Sequence, residues 1–363
     1  MNLELTEDQV VLRDTVRQFL AEKASVAGHV RPLLDDPTGS TDAVWRGLAN
    51  LGATGVVVPA EHDGAGMTMV EAGVVAQEMG AALNPGPWLS SAVASARALT
   101  RTGADHGLLA EIAGGTTIAT VAPLTGARPV VDGTALRGQL TAVPDAAAAN
   151  VLLLLVDESA DAGLYAVDPT SDGVTVTARS HVDPTRKLFD VRLDGVTGRR
   201  LADAPTDAIE GLVDDVTIAR AADALGAATA VMNMAIEYAK VRRQFDQPIG
   251  SFQAVQHLCV DMYEAVELAR SGVVHALWAA DAAEPAERHR AALRAKAFAG
   301  RLTAVGDTTI QVFGGIGFTW EHDAHLYLKR LLGWSAYLGA PDRYLEEVGA
   351  QLVSELLNRK VLQ

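Results

Sequence analysis

The sequence predicts an α+β protein in three parts. These are an N-terminal α bundle over residues 1–115, a middle antiparallel β domain over 116–205 and a C-terminal four-helix bundle over 206–363. Three observations predict it. Apolar residues recur at helical spacing through the first part. Short runs rich in Val, Leu and Thr, separated by Gly, Pro and Asp, fill the second. The third part holds helical segments long for a globular domain, with Ala-rich faces suited to packing against other subunits.

Taken in order, Thr6 to about Lys23 is a helix. Thr6 and Gln9 fit a capping box, and Leu12, Val16, Phe19 and Leu20 share one face. A loop with Pro32, Pro37 and Gly39 follows, then a short helix from Ala43 to Leu51 that stops at Gly52. Val56–Pro59 is expected as an extended link and His62–Gly66 as a turn. Helix returns from Met69 to Leu83, breaks at Pro85–Pro87 and resumes from Leu89 to about Leu99. Strands are expected at 116–121, 134–143, 151–156, 164–167, 174–178 and 188–193. Helices are then expected over about 208–243, 252–283, 285–312 and 324–338, with a tail helix over 341–357.

The 363 residues are more than one core usually holds, which agrees with a multi-part chain. The chain is 49% hydrophobic with mean hydropathy +0.14, an ordinary globular composition. A net charge of -15 argues against nucleic acid or an anionic membrane surface as partner. One cysteine, Cys259, excludes a disulfide framework and a cysteine-based metal site. The start has no basic region followed by an apolar one, and no apolar run is long enough to span a bilayer, so a cytoplasmic protein is expected. The histidines show no ligand spacing with carboxylates, so no metal is expected. His322 and His325 are expected to cap or pair near the helix that starts at Ala324.

Two motifs carry chemistry. In the first, Gln311-Val-Phe-Gly-Gly-Ile-Gly-Phe-Thr319, the cluster Gly314, Gly315 and Gly317 falls where a helix should stop. Gly314 and Gly315 offer bare backbone N–H groups to an anionic partner, and Gln311 adds an amide; a plain C-cap and turn would look the same. In the second, Arg242-Arg-Gln-Phe-Asp-Gln-Pro-Ile249 leads into Phe252-Gln-Ala-Val-Gln-His257. Arg242 at a helix end can donate a fork of hydrogen bonds to phosphate oxygens. Phe245 and Phe252 offer flat apolar surface to an adenine, or are simply core residues of an interhelical turn.

With these motifs in this order, inside an α–β–α arrangement, nearly the whole chain resembles the flavin-dependent acyl-CoA dehydrogenases. The resemblance implies an acyl-CoA substrate, FAD, removal of an α-proton with hydride transfer from the β-carbon to the flavin, and an electron-transfer flavoprotein as acceptor. It also implies tetramers in which each FAD is shared across a subunit boundary. On it, Arg242 and Phe245 match groups that touch the FAD pyrophosphate and adenine, and Phe252 belongs to the same adenine side. Gln311, Gly314 and Gly315 match the segment that reaches a neighbour's FAD.

The positions a family member uses for its own flavin depart from the pattern. Thr120–Gly126 stands where a Thr-Glu-Pro turn is usual, and Leu140–Pro144 where a tryptophan-bearing strand is usual. Tyr337-Leu338-Gly339-Ala340 replaces the usual Tyr-Glu-Gly-Thr with its catalytic Glu. Some members keep the base on the first C-terminal helix, which lands on Asp215. Asp214 and Asp215 read equally as ordinary acids in a helix's first turn. The pattern resembles the degenerate-site subunit of actinobacterial heteromeric, steroid side-chain type enzymes. Three expectations follow: a subunit that completes a partner chain's FAD site, a self-sufficient homotetramer with Asp215 as base, or a non-catalytic assembly scaffold.

Overall fold

The computed structural model describes residues 4–104, 106–158 and 161–361, with side chains described as far as residue 354. The first three residues of the chain's start and the last two of its C-terminal part lie outside the described residues. The helix α1 (Glu7–Lys23) has the expected capping box. Thr6 Oγ1 accepts from the Gln9 N–H at 3.3 Å and Gln9 Oε1 accepts from the Thr6 N–H at 3.0 Å. Helices α2 (Asp42–Asn50) and α3 (Met69–Ala81) follow. A wider-turned segment, Leu89–Ser95, then runs into α4 (Ala96–Thr102). A further helix, α5 (His106–Ala113), was not anticipated; its Leu108, Leu109 and Ile112 are buried. Val56–Val58 is not extended as expected. Val56 has helical angles within a run of tight turns, because all three valines bury in the helical core there.

The middle part is one eight-stranded sheet: β1 (Ala119–Ala122), β2 (Val130–Asp132), β3 (Ala135–Pro144), β4 (Val151–Asp157), β5 (Ala162–Val167), β6 (Val174–Ala178), β7 (Leu188–Val196) and β8 (Arg199–Ala204). The strand order is β6-β7-β3-β2-β4-β5-β8, with β1 alongside β4. The sheet is mostly antiparallel, as expected, with β1 and β2 each pairing parallel to β4. The run Val-Leu-Leu-Leu-Leu-Val in β4 is continuously apolar because both its faces are covered. Leu153 and Leu155 enter the helical core, while Leu152, Leu154 and Val156 enter a second core on the opposite face.

The C-terminal part holds α6 (Thr206–Val241), α7 (Gln253–Ala282), α8 (Pro285–Ala299), α9 (Thr303–Phe313), α10 (Ala324–Ala336) and α11 (Pro341–Val361). The helix expected over 285–312 is broken by a tight turn at Gly300–Leu302. A Cβ on Gly300 would lie 2.1 Å from the Pro341 ring, so the break seats α11 against α8. Packing is closest between α3 and α6. A Cβ on Gly80 would meet the Asp223 carbonyl oxygen at 1.9 Å, and one on Gly226 the Gln77 carbonyl oxygen at 1.9 Å. Only glycine lets these two backbones approach so closely.

One buried arginine ties the parts together. Arg330 on α10 donates to both carboxylate oxygens of Asp223 on α6, at 3.0 and 2.7 Å. It also donates to Thr185 Oγ1 at 2.9 Å and to the Asn84 carbonyl at 3.2 Å. Arg186, in the loop before β7, donates to the same Asp223 at 2.7 Å. Burial pushes the Asp223 carboxyl up, and Arg186 and Arg330 more than offset this, holding it below the usual range.

A second ionic cluster joins α6, α8 and α11. His289 Nδ1 lies 2.9 Å from Asp214 Oδ1 and its Nε2 3.4 Å from Glu347 Oε1, with Arg288 Nε 3.3 Å from Asp214 Oδ2. The hydrogen bond to Asp214, opposed by burial and helped by Glu347, raises the imidazole from 6.5 to about 9. A raised folded value contributes stability that is complete below pH 6.5 and lost as pH climbs through about 9. Partial exposure keeps the effect small. Melting curves of the wild type are therefore expected to fall more between pH 6.5 and 9 than those of His289→Gln. Parallel curves would remove the cluster's role.

Candidate functional site

The cleft between the sheet and the end of α10 has a volume of about 480 Å³. Its walls include Val121–Thr125, Thr141–Pro144, Arg179, His181, Val182 and the segment Ala336–Leu338. All three stretches singled out in the sequence as departing from the flavin-holding pattern thus meet in one place. The backbone is unusual there. Ala142 and Leu338 hold φ of 56° and 57°, left-handed angles that cost a non-glycine residue about 1–2 kcal/mol each. Ala142 sits in a bulge where the pairing of β3 with β7 shifts between Leu140 and Val143. Its N–H donates to Asp190 Oδ1 at 3.2 Å, and Arg179 Nη1 donates to the same oxygen at 2.9 Å. Thr120 Oγ1 donates to the Pro144 carbonyl at 2.7 Å, fixing β1 against the end of β3.

Among the described residues that line this cleft none is acidic. Leu338, at the position the family resemblance gives to a catalytic Glu, contributes only methyl groups. Asp215 is not part of the cleft. It is fully buried on α6, where Arg97 Nε donates to it at 2.7 Å and Arg101 donates through Nε at 2.6 Å and Nη2 at 2.8 Å. Arg97 also pairs with Asp281 at 2.7 Å, and Asp281 accepts from the Met69 N–H at 2.6 Å. Neither a carboxylate alone in an apolar pocket nor a solvated first-turn acid describes this. It is a doubly paired anchor joining α4, α6 and α7. Asp215→Asn is expected to lower stability by about 3 kcal/mol, the cost of breaking a buried pair. Turnover per folded molecule should stay unchanged in whatever assembly the chain forms. An unchanged melting point with lost turnover would reverse this assignment.

The other candidate residues lie at one end of the bundle. Tyr238 near the end of α6 and Phe313 at the end of α9 touch, with ring centroids 4.7 Å apart, so their following loops are neighbours. Arg242, Phe245, Gln311, Gly314 and Gly315 are all exposed. The Arg242 guanidinium has no hydrogen-bond or ion-pair partner among the described residues. Phe245 is 86% exposed and packs edge-on against the half-buried Phe252, centroids 6.1 Å apart. Phe245 and Asp246, at the tip of a two-residue hairpin, have φ of 52° and 64°. An aromatic residue in that region is uncommon and points to function rather than to ease of folding. Gly314, with φ 65° and ψ -145°, occupies a region open only to glycine.

Two features were missed by sequence reasoning. Arg220 of α6 stacks on Tyr337 at 3.8 Å, and Arg179 and His181 line the cleft. The available signal was Arg220 and Asp223 interrupting the Ala-rich, otherwise uncharged stretch 218–232 of α6. His322 behaves as expected: its Nδ1 accepts from the Ala324 N–H at 3.1 Å. His325 is buried edge-on to Trp320, and its Nε2 has no partner. No helix among the described residues is long and apolar enough to cross a membrane.

Residues 6–106 match the model of the acyl-CoA dehydrogenase N-terminal domain and 209–353 that of the C-terminal domain. Acyl-CoA dehydrogenase IpdE2 of Mycobacterium tuberculosis is 33% identical over 95% of this chain and 98% of its own length. The chain belongs to the acyl-CoA dehydrogenase family. Its members are FAD-dependent oxidoreductases, and a glutaryl-CoA dehydrogenase of the same fold from Mycobacterium smegmatis was solved with FADH2. Acyl-CoA dehydrogenase FadE34 of M. tuberculosis is 34% identical over 95% of this chain, which spans only 48% of FadE34. Among solved structures, the ChsE4-ChsE5 complex from M. tuberculosis matches with TM-score 0.88 and 27% identity over 97% of this chain and 99% of the matched one. In this acyl-CoA dehydrogenase, Arg242, Phe245, Gln311, Gly314 and Gly315 stand exposed at one end of the bundle, and no described residue lining the cleft is acidic.

Proposed function

We propose that this chain is the cofactor-completing subunit of a two-chain acyl-CoA dehydrogenase that forms the α,β-double bond of an acyl-CoA, with a bulky, steroid-derived acyl group as substrate. The observation that carries it is Leu338 in a cleft whose lining holds no carboxylate, set against an exposed Arg242 guanidinium without a partner among the described residues and a Phe245 that is 86% exposed. Several similarities support the reading. The ChsE4-ChsE5 match is a complex of two chains, and another match at TM-score 0.87 and 27% identity is described as a steroid acyl-CoA dehydrogenase pair, Tcur3481-Tcur3483. FadE34 is about twice as long as this chain, as a fused pair of such subunits would be.

The exposed residues fit part of an FAD. Arg242 offers a planar fork for the pyrophosphate, Phe245 and Phe252 an apolar face for the adenine, and Gln311, Gly314 and Gly315 further donors. The chain's own cleft does not fit a working dehydrogenation site, because no described residue lining it can take the α-proton as a carboxylate would. When bound, the flavin accepts the hydride that leaves the β-carbon. The α-proton must go to a carboxylate, which this chain does not offer in its cleft and the partner chain supplies. The role of Arg242 and its neighbours is to fix the dinucleotide end of the partner's cofactor. An electron-transfer flavoprotein then takes the electrons.

The flavin-to-chain ratio tests this. The chain purified alone is expected to be colourless, and the chain purified with its partner yellow, with one flavin for every two polypeptides. A homotetramer with one FAD per chain and full activity would end the proposal.

A further inference from the structure

Beneath the cleft a smaller cavity of about 50 Å³ opens between the sheet, α6 and α10. It shares His181, Leu188, Gly333 and Tyr337 with the cleft above, so the two adjoin. Three guanidinium groups face it, those of Arg186, Arg220 and Arg330. Arg186 and Arg330 are satisfied by Asp223. Asp183 also lines the cavity, but its Oδ1 already accepts from the N–H and hydroxyl of Thr185.

Arg220 is different. Its guanidinium makes no hydrogen bond or ion pair with any described residue, and its Nε is buried without a partner. It stacks on the Tyr337 ring, 3.8 Å away. Arg220 is only half-buried, so the rest of its guanidinium opens toward the cavity, while the buried Nε donor without an acceptor is costly unless a ligand supplies one. The carboxylates nearby are engaged elsewhere: Asp223 holds Arg186 and Arg330, and Asp145, which feels the Arg220 charge, accepts from Ser90. Burial, aided by Arg330, pushes Arg186 down to about 10, and burial, aided by Arg220, pushes Lys296 on α8 down to about 7.

The stacking also restricts what can bind. With one face of the guanidinium covered by Tyr337, its donors remain free only in their own plane. A planar, two-oxygen head group approaching edge-on matches that fork. Above it, the cleft is walled by Val121, Leu124, Val143, Leu188 and Leu338, which suits an apolar body.

We propose that Arg220 is the anion-recognising group of a binding site, in this chain's own cleft, for a small carboxylate ligand with an apolar body. The proposal rests on the reading that this cleft holds no flavin. The full chain, checked for flavin by its visible absorbance, is titrated calorimetrically with octanoate and, separately, with 1-octanol. Octanoate is expected to bind at least tenfold more tightly than 1-octanol, and Arg220→Met to abolish that preference. Equal binding of the two probes, binding of neither, or a preference that survives Arg220→Met would each overturn the proposal. The comparison of probes on the wild type stands even if the variant does not fold. A preparation carrying one flavin per chain overturns the functional reading and this site with it. A colourless preparation with no octanoate preference overturns this site alone.

Discussion

Asp223→Ala is expected to lower the stability of the chain by about 3–5 kcal/mol, the loss typical of removing one partner from a buried ion pair. Asp223 is the only described carboxylate paired with Arg330, which is 2% exposed, and it also holds Arg186. Its removal leaves Arg330 with hydroxyl and carbonyl acceptors only, and Arg186 without a hydrogen-bond acceptor among the described residues. The effect should reach across the molecule, because those arginines belong to α10 and to the loop before β7, while Asp223 belongs to α6. Loss of tertiary signal is therefore expected in the sheet and in the helical bundle together. A calorimetric melt would check it. A change below about 1 kcal/mol, the range of an exposed pair, would show that the three groups do not act as a unit.

Arg242→Ala is expected to act in the opposite way, leaving the isolated chain's melting point unchanged and weakening flavin retention in the two-chain assembly. Its guanidinium is exposed and holds nothing in its own chain. A hydrogen bond to a charged group contributes about 1.5–3 kcal/mol. At 1.4 kcal/mol per tenfold, FAD affinity should drop roughly tenfold to hundredfold. Arg242→Lys should recover only part of this, because an ammonium cannot make the bidentate contact. Equilibrium titration of the flavin-stripped assembly reads the effect directly. Retention equal to the wild type would separate Arg242 from the cofactor and leave Phe245 and Gln311 without their proposed neighbour.

Much of the fold was legible because local signals agree with the final structure. Thr6 and Gln9 announce the start of α1, and the unbroken apolar run of β4 announces a strand covered on both faces. What escaped had no such signal. The three residues of β2 are all exposed, and β8, Arg-Arg-Leu-Ala-Asp-Ala, is a polar edge strand with no alternation. The break at Gly300 depends on Pro341, forty-one positions further along, so local periodicity reads through it. The candidate site divides in the same manner. The loops after α6 and α9 are contiguous motifs and were seen. The fate of Asp215 was decided by Arg97 and Arg101, 118 and 114 positions upstream, and the stack of Arg220 on Tyr337 likewise joins distant elements.

The aromatic rings left outside have a consequence for how the protein must be made. Phe245, Phe318 and Trp320 are 86%, 70% and 61% exposed. Apolar groups displayed in this way are tolerated when something covers them and become sticky when nothing does. Copies of this polypeptide made with nothing to cover those rings are expected to clump. On the proposed two-chain reading, matched dosage of the two products is expected to keep the protein in solution, and co-expression against single expression checks it.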